Sequence, residues 1–400
     1  MSITSSRRTV AASSFVAPLL PIMAVVFIAY LVIGVAMPVL PLHVHQGLGL
    51  GTFMVGSWRR CCLGCEWAGH YADSKGAKHA VVTGLMVAAV AGLLYLLSLR
   101  FVSKPETSVV ILLLGRALLG VAESFIITGA LSWGLTLMGQ ENTGKVMSWV
   151  GTALYAAFAV GAPVGTALYA GHGFVAIAIA TALIPLGPVP LVGSLRPVAP
   201  TSQARPTFTR VIDAVWVPGL GLALSGVGFG AITTFITLLF AERGWSPAWL
   251  AFTALSIAFI VGRVIFGHLP DRIGGAKVAL VCVLIETVGQ ALIWLAPSSA
   301  LALVGITLTG LGYSLVYPGF GVEAIRRAPP QSRGLAMGTY TAFLDVALGF
   351  SGPALGLVAS GTGLRAVFLA STVVVVCSAA VAMRLLYAPA LAEKPSLHAA

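Results

Sequence analysis

The chain alternates between long apolar stretches and short breaks that carry charge or are rich in glycine and proline. A helix needs about 20 apolar residues to cross the hydrocarbon of a bilayer. Eleven stretches reach that length, over residues 15–40, 79–99, 107–130, 146–170, 173–194, 215–240, 248–269, 277–296, 300–322, 335–359 and 364–387. They are continuous rather than alternating, which is typical of helices and not of the strands of a β-barrel. The pattern therefore predicts an all-α bundle of membrane-spanning helices.

Composition agrees with that prediction. Hydrophobic residues make up 58% of the 400 residues and charged residues 9%. A soluble domain carries roughly 25% charged residues, so this chain has too little charge to cover a surface in water. It is also too apolar to be disordered. We therefore expect an integral membrane protein whose surrounding partner is the lipid bilayer.

The placement of the net charge of +11 matters more than its size. With twelve spans, fifteen lysines and arginines in the loops or at the ends of spans lie on the side of the termini and four lie on the other. The positive-inside rule then places both termini in the cytoplasm. Because the excess charge follows this rule, it does not indicate a nucleic-acid partner.

A twelfth span is expected near residues 50–70, where the apolar pattern fails. Residues 57–66 include Arg59, Arg60, Glu66, Cys61, Cys62 and Cys65. A charge at the centre of a span costs roughly 2.5–3.5 kcal/mol, and the repeat described below is about three residues short here. A reading-frame slip, a sequence error or a pseudogene-like lesion explains both features, and the alternative is a real adaptation. With no fourth ligand nearby, the cysteines do not predict a metal site.

The two parts of the chain repeat one another. The loop Gly69 to Lys78 recurs 198 residues later as Gly267 to Lys277, and glycines such as Gly115 and Gly173 recur at an offset of 190. We therefore predict two pseudo-symmetric six-helix halves, 1–194 and 214–400, joined by a basic, proline-containing cytoplasmic linker at 195–213. Duplicated halves of this kind predict a binding site at their interface.

The repeated loops resemble the G-x-x-x-D-x-x-G-x-[RK] signature of the major facilitator superfamily. The matching residues are Gly69, Asp73, Gly76 and Lys78 in the first copy, and Gly267, Asp271, Gly274 and Lys277 in the second. The segment from Gly115 to Gly120, with its arginine Arg116, resembles the fourth-span motif of that superfamily. Two further segments resemble a fifth-span motif of drug/proton antiporters: Gly161, Pro163 and Gly165, and then Gly352, Pro353 and Gly356.

Residues 38–45 and 332–334 further resemble the bacterial YhhS/YfcJ-type permeases. The resemblance covers nearly all of the chain. It implies a twelve-helix fold in the inner membrane of a bacterium and secondary transport by alternating access. In the loops, the glycines permit tight turns and Asp73 can accept from a helix N-terminus or a cation, so we expect a gating role, the alternative being a plain polar turn. In the glycine and proline motifs, helix bending and plain helix packing remain equal alternatives.

Ionisable residues within spans are costly and therefore mark candidate functional sites. Arg116 and Glu123 are seven residues apart, so they share one helical face about 10 Å apart. We expect them to couple proton movement to transport, the alternative being a structural charge network. Asp345 is a candidate contact for substrate or proton, or else bonds a neighbouring helix. The tyrosines expected to line the cavity are Tyr155, Tyr313 and Tyr317.

Two further charged residues within spans are expected to have structural roles. Arg263 lies close enough to the end of its span for its side chain to reach the membrane surface. Glu286 lies in a peripheral span, where we expect it to pair with a neighbouring helix.

The sequence thus predicts a proton-coupled exporter of a small organic compound. The alternatives are an uptake symporter or facilitator, or a relative that does not transport. A Walker-type phosphate-binding loop, a Ser/His/Asp arrangement and a metal-ligand cluster are all absent from the sequence, so we expect neither an enzyme nor a cofactor. The expected energy source is the proton gradient, the partners are a small-molecule substrate and protons, and the expected state is a monomer.

Overall fold

A computed structural model describes residues 17–48, 71, 75–139, 143–194, 208–328 and 333–387. Within these ranges the chain is helical and contains no strand. The long helices are α1 (Leu20–Ala36), α2 (Ala77–Ser98), α3 (Pro105–Met138), α4 (Thr143–Leu183), α5 (Phe208–Glu242), α6 (Trp249–Phe266), α7 (Gly275–Leu295), α8 (Ser299–Arg327), α9 (Arg333–Thr362) and α10 (Leu364–Tyr387).

Ten helical segments in the described part of the chain are long and apolar enough to cross a membrane. One of them, Val146–Ser194, contains 49 residues and would be roughly 74 Å long at 1.5 Å per residue. It therefore forms two passages, and it breaks at Gly173, whose φ of 66° and ψ of −164° are not helical. The described residues thus supply eleven passages, as the apolar stretches predict. The expected twelfth passage near 50–70, including residues 57–66, lies outside the described residues.

Two pairs of equivalent glycines have positive φ angles in both halves. Gly76 (φ 93°, ψ 152°) precedes α2, and Gly274 (φ 99°, ψ 140°) precedes α7. Gly173 and Gly363 also have positive φ angles, of 66° and 89°. Residues with a Cβ avoid these angles. The two offsets found in the sequence therefore correspond to repeated turns in the structure.

Close helix packing holds each half together. In the first half α1 packs on α4, and a Cβ built on Gly34 would lie 2.6 Å from the carbonyl oxygen of Ala157. In the second half α7 packs on α8 and α10, while α5 packs on α9 and α10. The halves meet where α6 packs along α4 and where the short helix Leu40–Leu42, just after α1, contacts α5. Any site shared by the two halves therefore lies beside these contacts.

The linker predicted at 195–213 is helical in its last part, because α5 already begins at Phe208. The polar residues of this segment form the first turns of the helix before its apolar portion begins. Residues 195–207 lie outside the described part of the chain.

Candidate functional site

The two charges of α3 form a direct ion pair. Arg116 Nη1 donates to Glu123 Oε1 at 2.7 Å, and the two side chains are 13% and 5% exposed. Tyr30 of α1 donates to the main-chain oxygen of Glu123 at 3.3 Å. The separation of about 10 Å expected from helical rise applies to the backbone. The long arginine side chain spans it, so two residues on one helical face become partners.

A cavity of about 50 Å³ lies beside Arg116. Met37, Tyr95 and Arg116 line it from the first half, and Thr233 lines it from α5 of the second half. A space of this size holds one or more water molecules between polar groups. The ion pair therefore lies next to a small space that is shared by both halves and lined mostly by apolar side chains, with Tyr95, Arg116 and Thr233 as its polar groups.

An aromatic cluster closes the interface on the side of α4 and α6. The Tyr155 ring stacks on Phe259 with 3.5 Å between ring centroids, and Phe229 stacks on Tyr313 at 5.2 Å. Tyr155 also meets Phe229 edge-on at 6.2 Å. Tyr155 belongs to the first half, whereas Phe229 and Phe259 belong to the second, so aromatic contacts join the halves. The structure thus brings the predicted tyrosines Tyr155 and Tyr313 into one cluster.

Arg263 of α6 lies against this cluster. Phe259 lies one turn before Arg263 in α6, and the Arg263 guanidinium carbon is 5.2 Å from the centroid of the Phe259 ring. A Cβ built on Gly151 of α4 would lie 2.6 Å from Arg263 Nη1. The sequence predicts that this side chain reaches the membrane surface at the near end of α6. Instead, it is directed into the interface between the halves. Span position alone does not reveal which neighbour a side chain meets.

The third predicted tyrosine, Tyr317, lies beside the aromatic cluster and has its ring contact with Tyr340. Tyr317 shares a hydrogen bond of 2.8 Å with Thr341, and the Tyr340 hydroxyl donates to the Tyr317 carbonyl at 2.7 Å. Tyr317 is within electrostatic range of both Arg263 and Asp345. Tyr317, Arg263 and Asp345 therefore belong to one region of the interface, on α8, α6 and α9.

Glu286 lies apart from the interface, in the core of the second half. It is fully buried, and Ser225 of α5 donates a short hydrogen bond to its Oε2. One turn further, Gln290 donates to the Gly228 carbonyl at 3.1 Å and accepts from Ser371 of α10 at 2.6 Å. The pairing expected for Glu286 is thus found, with a hydroxyl as partner. These polar groups tie α5, α7 and α10 together.

The loop motifs supply turns and caps in the described part of the chain. Gly76 and Gly274 hold the turns before α2 and α7, and Lys78 donates to the Gly193 carbonyl at 2.6 Å. Asp271 and Lys277 are exposed, and Gly267 ends α6. Gly69 and Asp73 lie outside the described residues.

Sequence reasoning missed a carboxylate at this end of the second half. Glu323 accepts from the main-chain N–H of Ala276 at 3.2 Å and from Arg327 at 2.7 Å. A negative charge at a helix N-terminus is stabilising, so Glu323 fixes the start of α7 against α8. No signal in its own helix predicts this contact, since it depends on how α8 lies beside the loop.

The glycine and proline motif of α4 lies at a helix contact. A Cβ on Gly161 would lie 2.7 Å from the carbonyl carbon of Gly34, and one on Gly165 would lie 2.7 Å from that of Val35. Pro163 lies inside α4, whose non-helical residue is Gly173. In α9, Gly352 and Gly356 are buried and Pro353 is half-buried within the helix. The first motif therefore allows α1 and α4 to approach closely.

Repeated helical turns and a site with charged groups between two helical bundles are features of many membrane transporters. The sequence profile of the Major Facilitator Superfamily matches residues 19–249 and 219–399. An MFS-type transporter of Salmonella typhimurium, STM4428, is 41% identical over 374 residues, which cover 91% of this chain and 95% of the relative. The MFS-type transporter YhhS of Escherichia coli is 38% identical over 378 residues, covering 93% and 92% of the two chains. The chain belongs to the Major Facilitator Superfamily.

Two solved structures confirm the fold. The nucleoside transporter NupG matches with a TM-score of 0.71 at 15% identity, covering 92% of this chain and 99% of that one. A bacterial homologue of the human lysosomal transporter Spinster matches with a TM-score of 0.71 at 13% identity, covering 93% and 96%. The family match, together with this fold, makes the protein a multi-pass membrane transporter of this superfamily.

Proposed function

We propose that the protein exports a small organic solute across the bacterial inner membrane in exchange for protons. The observation that carries the proposal is the buried Arg116–Glu123 ion pair, with its 2.7 Å contact beside a cavity shared by both halves. An intramembrane carboxylate that can reach water is a group able to take up and release a proton during a transport cycle.

The ion pair links protonation to conformation. While Glu123 is charged, it holds Arg116, and Tyr30 ties the same turn of α3 to α1. A proton on Glu123 removes the charge that holds the arginine, so Arg116 becomes available to other acceptors in the cavity. Two states that differ in this pairing also differ in their affinity for protons, and that difference is what coupling requires.

The contacts between the halves support alternating access. If both termini are cytoplasmic, the short helix Leu40–Leu42 is the outer end of its span, and its contact with α5 closes the halves on the outer side. This arrangement suits a state whose cavity opens to the cytoplasm, from which an exporter collects its solute. One chain contributes both halves of the interface, so the transporter needs no second copy and works as a monomer.

The proposal is tested by reconstituting the purified full-length chain into proteoliposomes. Labelled sugars, amino acids, nucleosides, aromatic acids and amines are offered under an inside-acid or an outside-acid gradient. Exchange with protons predicts uptake of at least one solute under the inside-acid gradient, and its loss when a protonophore collapses the gradient. Uptake under the outside-acid gradient would show a symporter instead. Equal uptake with and without either gradient would contradict proton coupling.

A further inference from the structure

Arg263 is an intramembrane cation whose charge has no carboxylate partner in the described part of the chain. Among those residues its guanidinium forms neither a hydrogen bond nor an ion pair, and it lies over the Phe259 ring at 5.2 Å. Arg116 has Glu123 as its partner, and Arg365 donates to the carbonyl of Trp294 at 2.8 Å. An arginine cannot lose its proton in a protein, so Arg263 presents a lasting positive charge to the interface.

The groups around Arg263 are aromatic. Tyr155, Tyr313, Tyr317 and Tyr340 all lie within electrostatic range of its guanidinium. Phe259 and Tyr313 are buried within the aromatic cluster, whereas Tyr155, Tyr317 and Arg263 keep part of their surface exposed. The accessible wall of this region therefore consists of two tyrosine rings and one guanidinium, drawn from α4, α8 and α6.

The remaining intramembrane charges do not neutralise Arg263. Arg116 and Glu123 neutralise each other. Glu286 is bonded to Ser225 in the core of the second half, away from the interface. Asp345 lies within electrostatic range of Tyr317, and it is not among the groups that act electrostatically on Arg263. Among the residues that the structure describes, the aromatic wall therefore carries one positive charge that an incoming group can pair with.

From these observations we infer that the transported solute is an aromatic organic anion, whose negative group pairs with Arg263 while its ring packs on Tyr155 and Tyr317. The inference rests on the proposed transport function and names its class of solute. The planar guanidinium suits carboxylate and sulfonate groups, which can accept two parallel hydrogen bonds. Aromatic side chains in turn favour stacked or edge-on contact with a ring.

Binding to the full-length chain in lipid nanodiscs tests the inference without a proton gradient. Benzenesulfonate is the probe, because it stays anionic at every working pH. Methanesulfonate keeps the charge without the ring, benzenesulfonamide keeps the ring without the charge, and phenyltrimethylammonium reverses the charge. We expect isothermal titration to show that benzenesulfonate binds at least about tenfold more tightly than each of the other three. Weaker or equal binding of benzenesulfonate would overturn the inference, and this comparison needs no variant.

Variants then locate the site. Arg263→Gln should weaken benzenesulfonate binding by about tenfold or more, whereas Arg263→Lys, which keeps the charge, should lose less. Arg365→Gln is the matched control and should bind as the unaltered chain does. Unchanged affinity in a folded Arg263→Gln chain would reduce Arg263 to a packing role. Tightest binding of phenyltrimethylammonium, abolished by Asp345→Asn, would instead assign a cationic solute.

The two proposals fail separately. Absence of benzenesulfonate binding, together with gradient-driven uptake of another solute, would remove the inferred solute class and leave the proton-coupled transport standing. Benzenesulfonate binding without any gradient-driven movement of a solute would remove the proton-coupled transport and leave the inferred solute class standing.

Discussion

Helices α3 and α8 hold equivalent places in the two halves, yet they carry different chemistry. At the offset of 190, Arg116 corresponds to Ile306 and Glu123 corresponds to Tyr313. The glycines around them are retained, since Gly115 and Gly305 both lie against the neighbouring helix of their own half. The glycine contacts between helices are thus repeated, but the functional groups differ between the halves. The first half holds the ion pair, and the second half supplies most of the aromatic wall.

The periphery shows a second difference between the halves. A Cβ on Gly92 of α2 would lie 2.5 Å from the carbonyl carbon of Thr181, so these helices meet backbone to backbone. The equivalent residues in the second half are Gln290 and Ser371, which share a hydrogen bond of 2.6 Å. Two sequences reach the same helix arrangement, one by removing a side chain and the other by pairing two.

The largest expected effect comes from making the first half resemble the second. Glu123→Tyr leaves Arg116 buried without its carboxylate and should destabilise the protein by about 3–5 kcal/mol. The double variant Arg116→Ile/Glu123→Tyr removes both charges and should regain most of that stability, while losing every response to a pH gradient. Thermal unfolding in detergent measures the first effect and proteoliposome transport measures the second. A double variant that still responds to the gradient would show that the pair does not couple.

The second-largest loss of stability is expected at Gly92, where α2 contacts the neighbouring helix. Gly92→Ala forces a methyl group against the backbone of the neighbouring helix and should destabilise by about 1–3 kcal/mol. Gly171→Ala is the control, because no atom lies within 4 Å of a Cβ at that position. Both are compared by their thermal unfolding midpoints in the same detergent. Equal midpoints would mean that α2 and its neighbour tolerate separation.

The repeated turns should respond alike. Gly76→Ala and Gly274→Ala each force an L side chain into a positive φ angle, which costs roughly 1–2 kcal/mol. Because the two turns have nearly the same backbone angles, we expect their unfolding midpoints to fall by similar amounts. If one variant unfolds at the same midpoint as the unaltered chain, its turn is free to change conformation. The two loops would then share a sequence motif without sharing a structural role.

The smallest effect is expected at Glu323, which has Trp133 in its place in the first half. Glu323→Gln keeps an oxygen that can accept from the Ala276 N–H and from Arg327, but it removes the negative charge at the start of α7 and beside Arg327 in the last turn of α8. We expect a change of about 1 kcal/mol. The loss should be larger at low salt, where charges are screened less. An effect that does not depend on salt would indicate packing instead.

The repeat and the apolar stretches could be predicted because they are written locally in the chain. Eleven passages follow from the length of the stretches, and the turns at Gly76 and Gly274 follow from a motif that occurs twice. The pairing of Arg116 with Glu123 was within reach, since both residues are on one face of one helix.

Contacts between different helices were not predictable in the same way. The position of Arg263 over Phe259 and beside Gly151 depends on how α6 lies along α4. The bond from Ser225 to Glu286 and the contact of Glu323 with the Ala276 N–H likewise join groups from separate helices. A single sequence carries the residue types for such contacts but not the register of one helix against another.

The most direct test of the account is the ratio of gradient-driven accumulation to counterflow in Glu123→Gln, with Glu106→Gln as the matched control. Glu106 lies exposed in the first turn of the same helix, so its change should leave both activities intact. The Glu123 amide keeps an acceptor for Arg116 but cannot gain or lose a proton. We therefore predict that Glu123→Gln retains counterflow of the solute found in the proteoliposome screen and loses its accumulation under an imposed pH gradient. Accumulation that persists undiminished in Glu123→Gln would contradict the assignment of proton coupling to this carboxylate.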